Sequence, residues 1–217
     1  MLRVRNLSKS FQTDTGPLHV LRGVNLDIPP GETVALLGES GSGKSTLLHI
    51  CAGLEPFHEG SVTLADTELS GQSADRLSAL RRDKLALVFQ QFNLIPSLTV
   101  ADNIAFQARL AGRNDAAWNQ HLAQNLGLSA VLDRYPEQIS GGQQQRVAIG
   151  RALAVRPPMV FADEPTGNLD EATGDGVLDL LLALARDTGA AVLMVTHSER
   201  LAARLSRSVR LRAGEIQ

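Results

Sequence analysis

A chain of 217 residues with 43% hydrophobic composition can bury a substantial core, either as one large domain or as a core carrying an inserted lobe. Its formal net charge of −2 supplies no basic surplus for sequence-independent contact with a phosphate backbone, so nucleic acid is not expected as a partner. The single cysteine, Cys51, rules out an intramolecular disulfide and a cysteine-rich metal centre, suits a reducing compartment, and is expected to be buried.

In chain order, Met1–Phe11 lacks the apolar run of a secretory signal, and Val177–Ala185 is too short and too charged to span a bilayer, so a cytoplasmic location is expected. Leu2–Leu7 reads as a strand, as does Val20–Ile28, where Val24, Leu26 and Ile28 alternate with Asn25 and Asp27. Pro29-Pro30-Gly31 turns the chain into a short apolar run, Thr33–Leu37, which enters a Gly/Ser loop; Ser45–Cys51 then has helical character. A further strand is expected at Leu85–Phe89. Val100–Leu110, Ala116–Leu126 and Gly142–Ala154 look helical, with turn signals at Gly112, Gly127 and Pro136, so residues 91–157 read as an inserted α-helical subdomain. Apolar strands return at Met159–Ala162 and Ala190–Thr196 around an amphipathic helix near Gly176–Arg186, and Ser208–Ile216 closes the chain as a hairpin about Ala213-Gly214. The fold class is therefore α/β, with residues 1–90 and 158–217 forming the core.

Gly38-Glu39-Ser40-Gly41-Ser42-Gly43-Lys44-Ser45 fits G-x-x-x-x-G-K-[ST] in full, between a strand and a helix, which identifies a P-loop NTPase. Glycines let the backbone wrap closely round a polyphosphate, so that successive N–H groups and the helix N-terminus face the anion. Lys44 is placed to neutralise the β/γ-phosphates and Ser45 to ligate Mg²⁺; Thr46 follows at the helix start and is counted with the ATP contacts. More than a hundred residues later, the buried strand Met159–Ala162 ends in Asp163 and Glu164. Asp163 is suited to holding Mg²⁺, and Glu164 to polarising an attacking water.

Ile139-Ser140-Gly141-Gly142-Gln143, followed by Gln144-Gln145-Arg146-Val147-Ala148-Ile149, resembles the signature motif of ABC-transporter ATPases, with Ile139 where that family usually has Leu. Its physical basis is again a helix N-terminus preceded by glycines, able to offer N–H groups and a hydroxyl to a γ-phosphate. Gln90 resembles the Q-loop glutamine of that family, which contacts Mg²⁺ and the nucleophilic water; Asn168-Leu169-Asp170 resembles its D-loop, His197 its switch histidine, and Phe11 its adenine-stacking aromatic. The resemblance implies a RecA-like core with an N-terminal antiparallel β subdomain. It also implies two ATP molecules held between two copies of the chain, or between it and a related subunit, each bound by one P-loop and by Ser140, Gly141, Gly142, Gln143 and Asp170 of the opposite chain. Catalysis would fall to Glu164, His197 and Gln90, with Mg²⁺ held by Ser45, Gln90 and Asp163. The further partner implied is an integral membrane permease that keeps the chain at the inner face of the cell membrane.

Phe89–Pro96, Ser140–Arg146 and Ala162–Asp170 look most like the branch serving lipoprotein release, macrolide export and the cell-division permease complex. Amino-acid importers are the nearest alternative, often with Ser-Ala-Leu-Asp where this chain has Gly167-Asn168-Leu169-Asp170. A soluble ABC ATPase without a transport role would usually show a fused second cassette or a long coiled-coil insertion. A P-loop phosphotransferase would need an acceptor pocket.

Overall fold

The computed structural model describes residues 1–14 and 16–217. The chain opens with a long antiparallel hairpin, β1 (Leu2–Thr13) and β2 (Gly16–Ile28). A second pair, β4 (Glu59–Leu64) and β5 (Thr67–Glu68), extends it into a four-stranded sheet of order β2-β1-β4-β5. Between these pairs lie β3 (Thr33–Leu37) and α1 (Lys44–Cys51). β3 is the centre of the second sheet, where it runs parallel to β8 (Ala191–Val195) on one side and β9 (Arg207–Arg212) on the other. β7 (Met159–Asp163) and β6 (Leu85–Val88) continue beyond β8, and β10 (Glu215–Ile216) pairs antiparallel with β9, for an order of β10-β9-β3-β8-β7-β6.

Alternation along the parallel strands feeds two separate cores. Val34, Leu36, Met159, Phe161, Leu193 and Val195 face the inner side of the antiparallel sheet, with α1 between them contributing Leu47, Leu48, Ile50 and Cys51. Ala35, Leu37, Val160, Ala162, Val192 and Met194 face the opposite way, onto α3 (Val100–Leu110), α4 (Ala116–Asn125), α5 (Gly141–Leu153) and α6 (Glu171–Thr188). The helices α3 to α5 fall within residues 91–157 and share one continuous core with the sheet. Gly150 allows the close approach there: a Cβ on it would lie 3.0 Å from Leu126 and 3.2 Å from Ile104. Thr99, Asp115, Ser140 and Asp170 each cap their helix by accepting a backbone N–H, which is why these helices start where they do. Among the described residues, no helix is long and apolar enough to cross a membrane.

Several elements exceed what the sequence pattern predicts. β2 begins at Gly16 rather than Val20, because Pro17, Leu18 and His19 are exposed on the hairpin arm and carry no buried alternation. The helix expected near Gly176–Arg186 begins a turn and a half earlier, at the Asp170 cap. α2 (Ala74–Lys84), β4 and β5 have no counterpart in the sequence reading. α2 buries only Leu80, too little to leave a 3.6-residue period, and is started by the Ser73 cap instead. The remaining helix, α7 (Glu199–Ala202), is a single turn capped by Ser198.

Candidate functional site

The phosphate loop leaves the C-terminal end of β3 and returns as α1, so the parallel sheet delivers it to a helix N-terminus. Two of its glycines are dictated by close approach. A Cβ on Gly38 would lie 2.3 Å from the carbonyl oxygen of Leu211 on β9, and one on Gly43 would lie 2.9 Å from the Val20 side chain. Gly43 also has φ +100, a conformation that side chains rarely adopt. Glu39, Ser40 and Gly41 form the exposed rim, and Thr46 is half-buried behind them. The Ser42 hydroxyl is buried with no hydrogen-bond partner among the described residues.

Lys44 is only 5% exposed, and its Nζ donates to the carbonyl oxygens of Gly38 (2.9 Å) and Glu39 (2.8 Å) of its own loop. Burial holds its pKa below the ordinary lysine value, opposed by the charges of Glu164 and Asp163. Beside it, Ser45 Oγ donates to Asp163 Oδ1 at 3.1 Å, joining the loop to the end of β7. His49, one turn further along α1, has its Nε2 3.8 Å from Asp163 Oδ2. The sequence reading did not pick out this histidine, although its four-residue spacing from Ser45 puts both on one helix face.

Glu164 follows immediately with φ +46, an uncommon conformation for a non-glycine residue and a demanding one before Pro165. Its N–H donates to Val195 O on β8, and its carbonyl accepts from Gly167 N, so the turn is held from both ends. Strain of about 1–3 kcal/mol of this kind persists only where the surroundings over-determine it. The result brings Glu164 Oε1 to 2.5 Å from Nε2 of His197, which follows β8. A cleft of about 260 Å³ opens there, lined by Glu164, Gly167, Asp170, Thr196, His197 and Arg200 among others.

Gln90, just past β6, is tied to the D-loop: its Nε2 donates to Asn168 Oδ1 (3.1 Å), while Asn168 Nδ2 donates to the Gln90 carbonyl (3.0 Å). Ser140 caps α5 in a reciprocal box with Gln143, the hydroxyl accepting from Gln143 N and Gln143 Oε1 accepting from Ser140 N. Gly141 lies against Phe92 and Leu169; at Gly142 a Cβ would come within 2.6 Å of Thr173. Asp170 caps α6, and its hydrogen bonds with the Thr173 side chain and backbone N–H hold its carboxyl below the ordinary range. Among the described residues no hydrogen bond or ion pair joins Ser140–Gln143 to the Gly38–Thr46 loop of the same chain. Phe11 sits on the hairpin arm, 38% exposed, with Lys9 Nζ 4.6 Å from its ring centre. The arm reaches the phosphate loop through Val20 and Leu21, which pack on Gly43.

Residues 21–167 match the family model described as ABC transporter. Over the full chain the protein is 49% identical to the lipoprotein-releasing system ATP-binding protein LolD of Novosphingobium aromaticivorans, covering 98% of that protein. It is 46% identical to the uncharacterized ABC transporter ATP-binding protein YbbA of Escherichia coli, again over the full chain and 96% of the relative. Among solved structures, a dimeric post-hydrolysis state of the ATP-binding cassette MJ0796 bound to ADP and Pi superposes with a TM-score of 0.90 at 38% identity, covering 100% of this chain and 97% of that one. With more than half its length matched by the family model and full-length relatives well above 30% identity, the chain belongs to the ABC transporter family.

Proposed function

We propose that the chain binds and hydrolyses ATP as the motor subunit of a transporter, two copies or two related subunits closing over two nucleotides. The observation that carries this reading is the convergence of Lys44, Ser45, Asp163, Glu164 and His197 at the C-terminal ends of three adjacent parallel strands. Lys44 exchanges the carbonyls of Gly38 and Glu39 for β/γ-phosphate oxygens, which recover the cost of burying its charge. Glu164 orients and deprotonates the attacking water, and His197, whose Nε2 holds that carboxylate turned to the site in this structure, exchanges it for the γ-phosphate when ATP is bound. Phe11 offers its exposed ring to adenine.

The Ser45 hydroxyl and the Asp163 carboxylate, with the Gln90 amide oxygen, make a hard, all-oxygen donor set that fits Mg²⁺ and not a thiolate- or imidazole-seeking metal. Held by these residues, the cation would supply charge neutralisation to the phosphate oxygens.

Ser140, Gly141, Gly142, Gln143 and Asp170 complete the site from the opposite chain. Support comes from the preformed α5 N-terminus, which has no hydrogen bond to its own phosphate loop, and from the dimeric state of the MJ0796 cassette. The resemblance to LolD supports the lipoprotein-release type, in which residues 91–157 would form the helical signature subdomain and a permease would hold the chain at the inner membrane face.

A groove of about 400 Å³ supports such a partner. It is lined by Leu54, Leu87, Phe89, Ile95 and Phe106 and by two arginines, Arg81 and Arg151, which among the described residues bond only to neutral acceptors. A permease helix carrying one carboxylate among apolar side chains fits that lining. Leu94, in the same segment as Ile95, is packed against the helical core. Incubation of the purified protein with Mg²⁺ and ATP tests the catalytic reading: free phosphate is expected, whereas a phosphorylated acceptor with no free phosphate would replace the ATPase by a phosphotransferase.

A further inference from the structure

The pairing of Gln90 with Asn168 determines which end of the glutamine amide is left free. The Gln90 carbonyl oxygen can only accept a hydrogen bond, so the Asn168 group 3.0 Å from it must be the amide nitrogen. Asn168 Oδ1 is thereby turned to the Gln90 side chain, 3.1 Å from it. An amide oxygen also only accepts, so Gln90 must present Nε2 there, and its Oε1 is left at the opposite end of the same amide. No other hydrogen bond involves the Gln90 side chain among the described residues. Gly167 makes room for this approach: a Cβ there would lie 2.9 Å from Gln90 Nε2.

The two ends of a glutamine amide are nearly identical in shape and opposite in polarity. A cation is attracted by the oxygen and repelled by the NH₂ group, so an unrestrained Gln90 would offer the wrong end for part of the time. We propose that Asn168 is a positioning residue that locks the Gln90 amide with Oε1 free for the divalent cation. This rests on the reading of Gln90 as a cation ligand given above. It also gives Asn168 a physical role that alanine, common at this position in the importer-type D-loop, could not perform, since a methyl group neither donates nor accepts.

The test uses Mn²⁺ in place of Mg²⁺ and a non-hydrolysable ATP analogue, with cation affinity read by electron paramagnetic resonance on the full chain. Asn168→Leu, which keeps the shape and removes both hydrogen bonds, should weaken Mn²⁺ binding by about threefold to tenfold, the range of one net hydrogen bond. Asn168→Ala is the second variant should the leucine not fold. Affinity for the analogue without divalent cation should be unchanged in both. Gln90→Ala should weaken Mn²⁺ at least as much, and adding Asn168→Leu to it should cost nothing further. If Gln90→Ala weakens Mn²⁺ but neither Asn168 variant does, the positioning role is wrong. An Asn168 effect that persists undiminished without Gln90 would also overturn it. Unchanged Mn²⁺ affinity in Gln90→Ala would instead remove Gln90 from the cation site.

Discussion

Nε2 of His197 lies 2.5 Å from Oε1 of Glu164, although the two residues reach the site from different strands. A carboxylate only accepts, so the imidazole is the donor and one carboxylate oxygen is occupied, which leaves the other to address water. Glu164→Gln should keep ATP binding and lower turnover by about 10²–10⁴-fold, because the amide preserves shape and loses the proton acceptor. Phosphate-release assays beside calorimetric ATP titration separate the two effects. Near-normal turnover would remove Glu164 from its proposed role.

Lys44→Ala and Ser140→Arg should each abolish ATP-dependent dimerisation, the first by removing charge from the cradle, the second by obstructing the α5 N-terminus. Mixed together, they can form heterodimers in which one interface carries both lesions and the other none. Light scattering with ATP should then show dimers again. No recovery, despite subunit exchange confirmed with labelled protein, would refute a site shared between chains.

Cysteines placed at Leu54, Phe89 and Phe106 should crosslink to a co-expressed permease, while one at Leu110, exposed outside the groove, should not. Arg81→Glu should weaken permease association by at least about tenfold, since it sets a like charge against the expected carboxylate. Crosslinking confined to positions elsewhere on the surface would place the partner on another face.

Cys51 is fully enclosed, and burial pushes its thiol up to about 12 from 9.0. Such a shift implies a thiolate fraction about a thousandfold lower at neutral pH, so thiol reagents should modify the protein only after denaturation. The unfolded chain can release this proton near pH 9 and the folded chain cannot until about 12, so the neutral thiol favours the folded state fully below 9 and loses that advantage above it. Within that window wild-type stability should fall more steeply with pH than that of Cys51→Ala, by about 1.4 kcal/mol per pH unit. Parallel slopes in urea titrations would contradict the burial account.

The legible parts of the sequence were those where one local pattern carries the whole signal. The Gly38–Ser45 loop announces itself by glycine spacing between a strand and a helix. Ser140 carries a capping signal as well as family resemblance, and Val24, Leu26 and Ile28 declare their buried face by alternation. What escaped has no such pattern. α2 rests on a single buried leucine, and Phe11–Thr13 and Pro17–His19 on the β1–β2 arm are exposed. The contact between Gln90 and Asn168 joins residues 78 apart, a distance over which periodicity carries no information. The αL turn at Glu164 was hidden for another reason: nothing in the residue type predicts it, and it exists because Val195 and Gly167 hold it there.

The order of strands in the parallel sheet sets a timetable for synthesis. β3 emerges early, yet both of its neighbours, β8 and β9, are made near the end of the chain, and the floor beneath Gly38 is the carbonyl of Leu211. Until those strands leave the ribosome, Thr33–Leu37 is an unpaired apolar segment and Gly38 is without its floor. A growing chain that already contains the Gly38–Ser45 loop therefore still lacks the support of Gly38, and the capacity to bind ATP becomes a report that β9 has arrived.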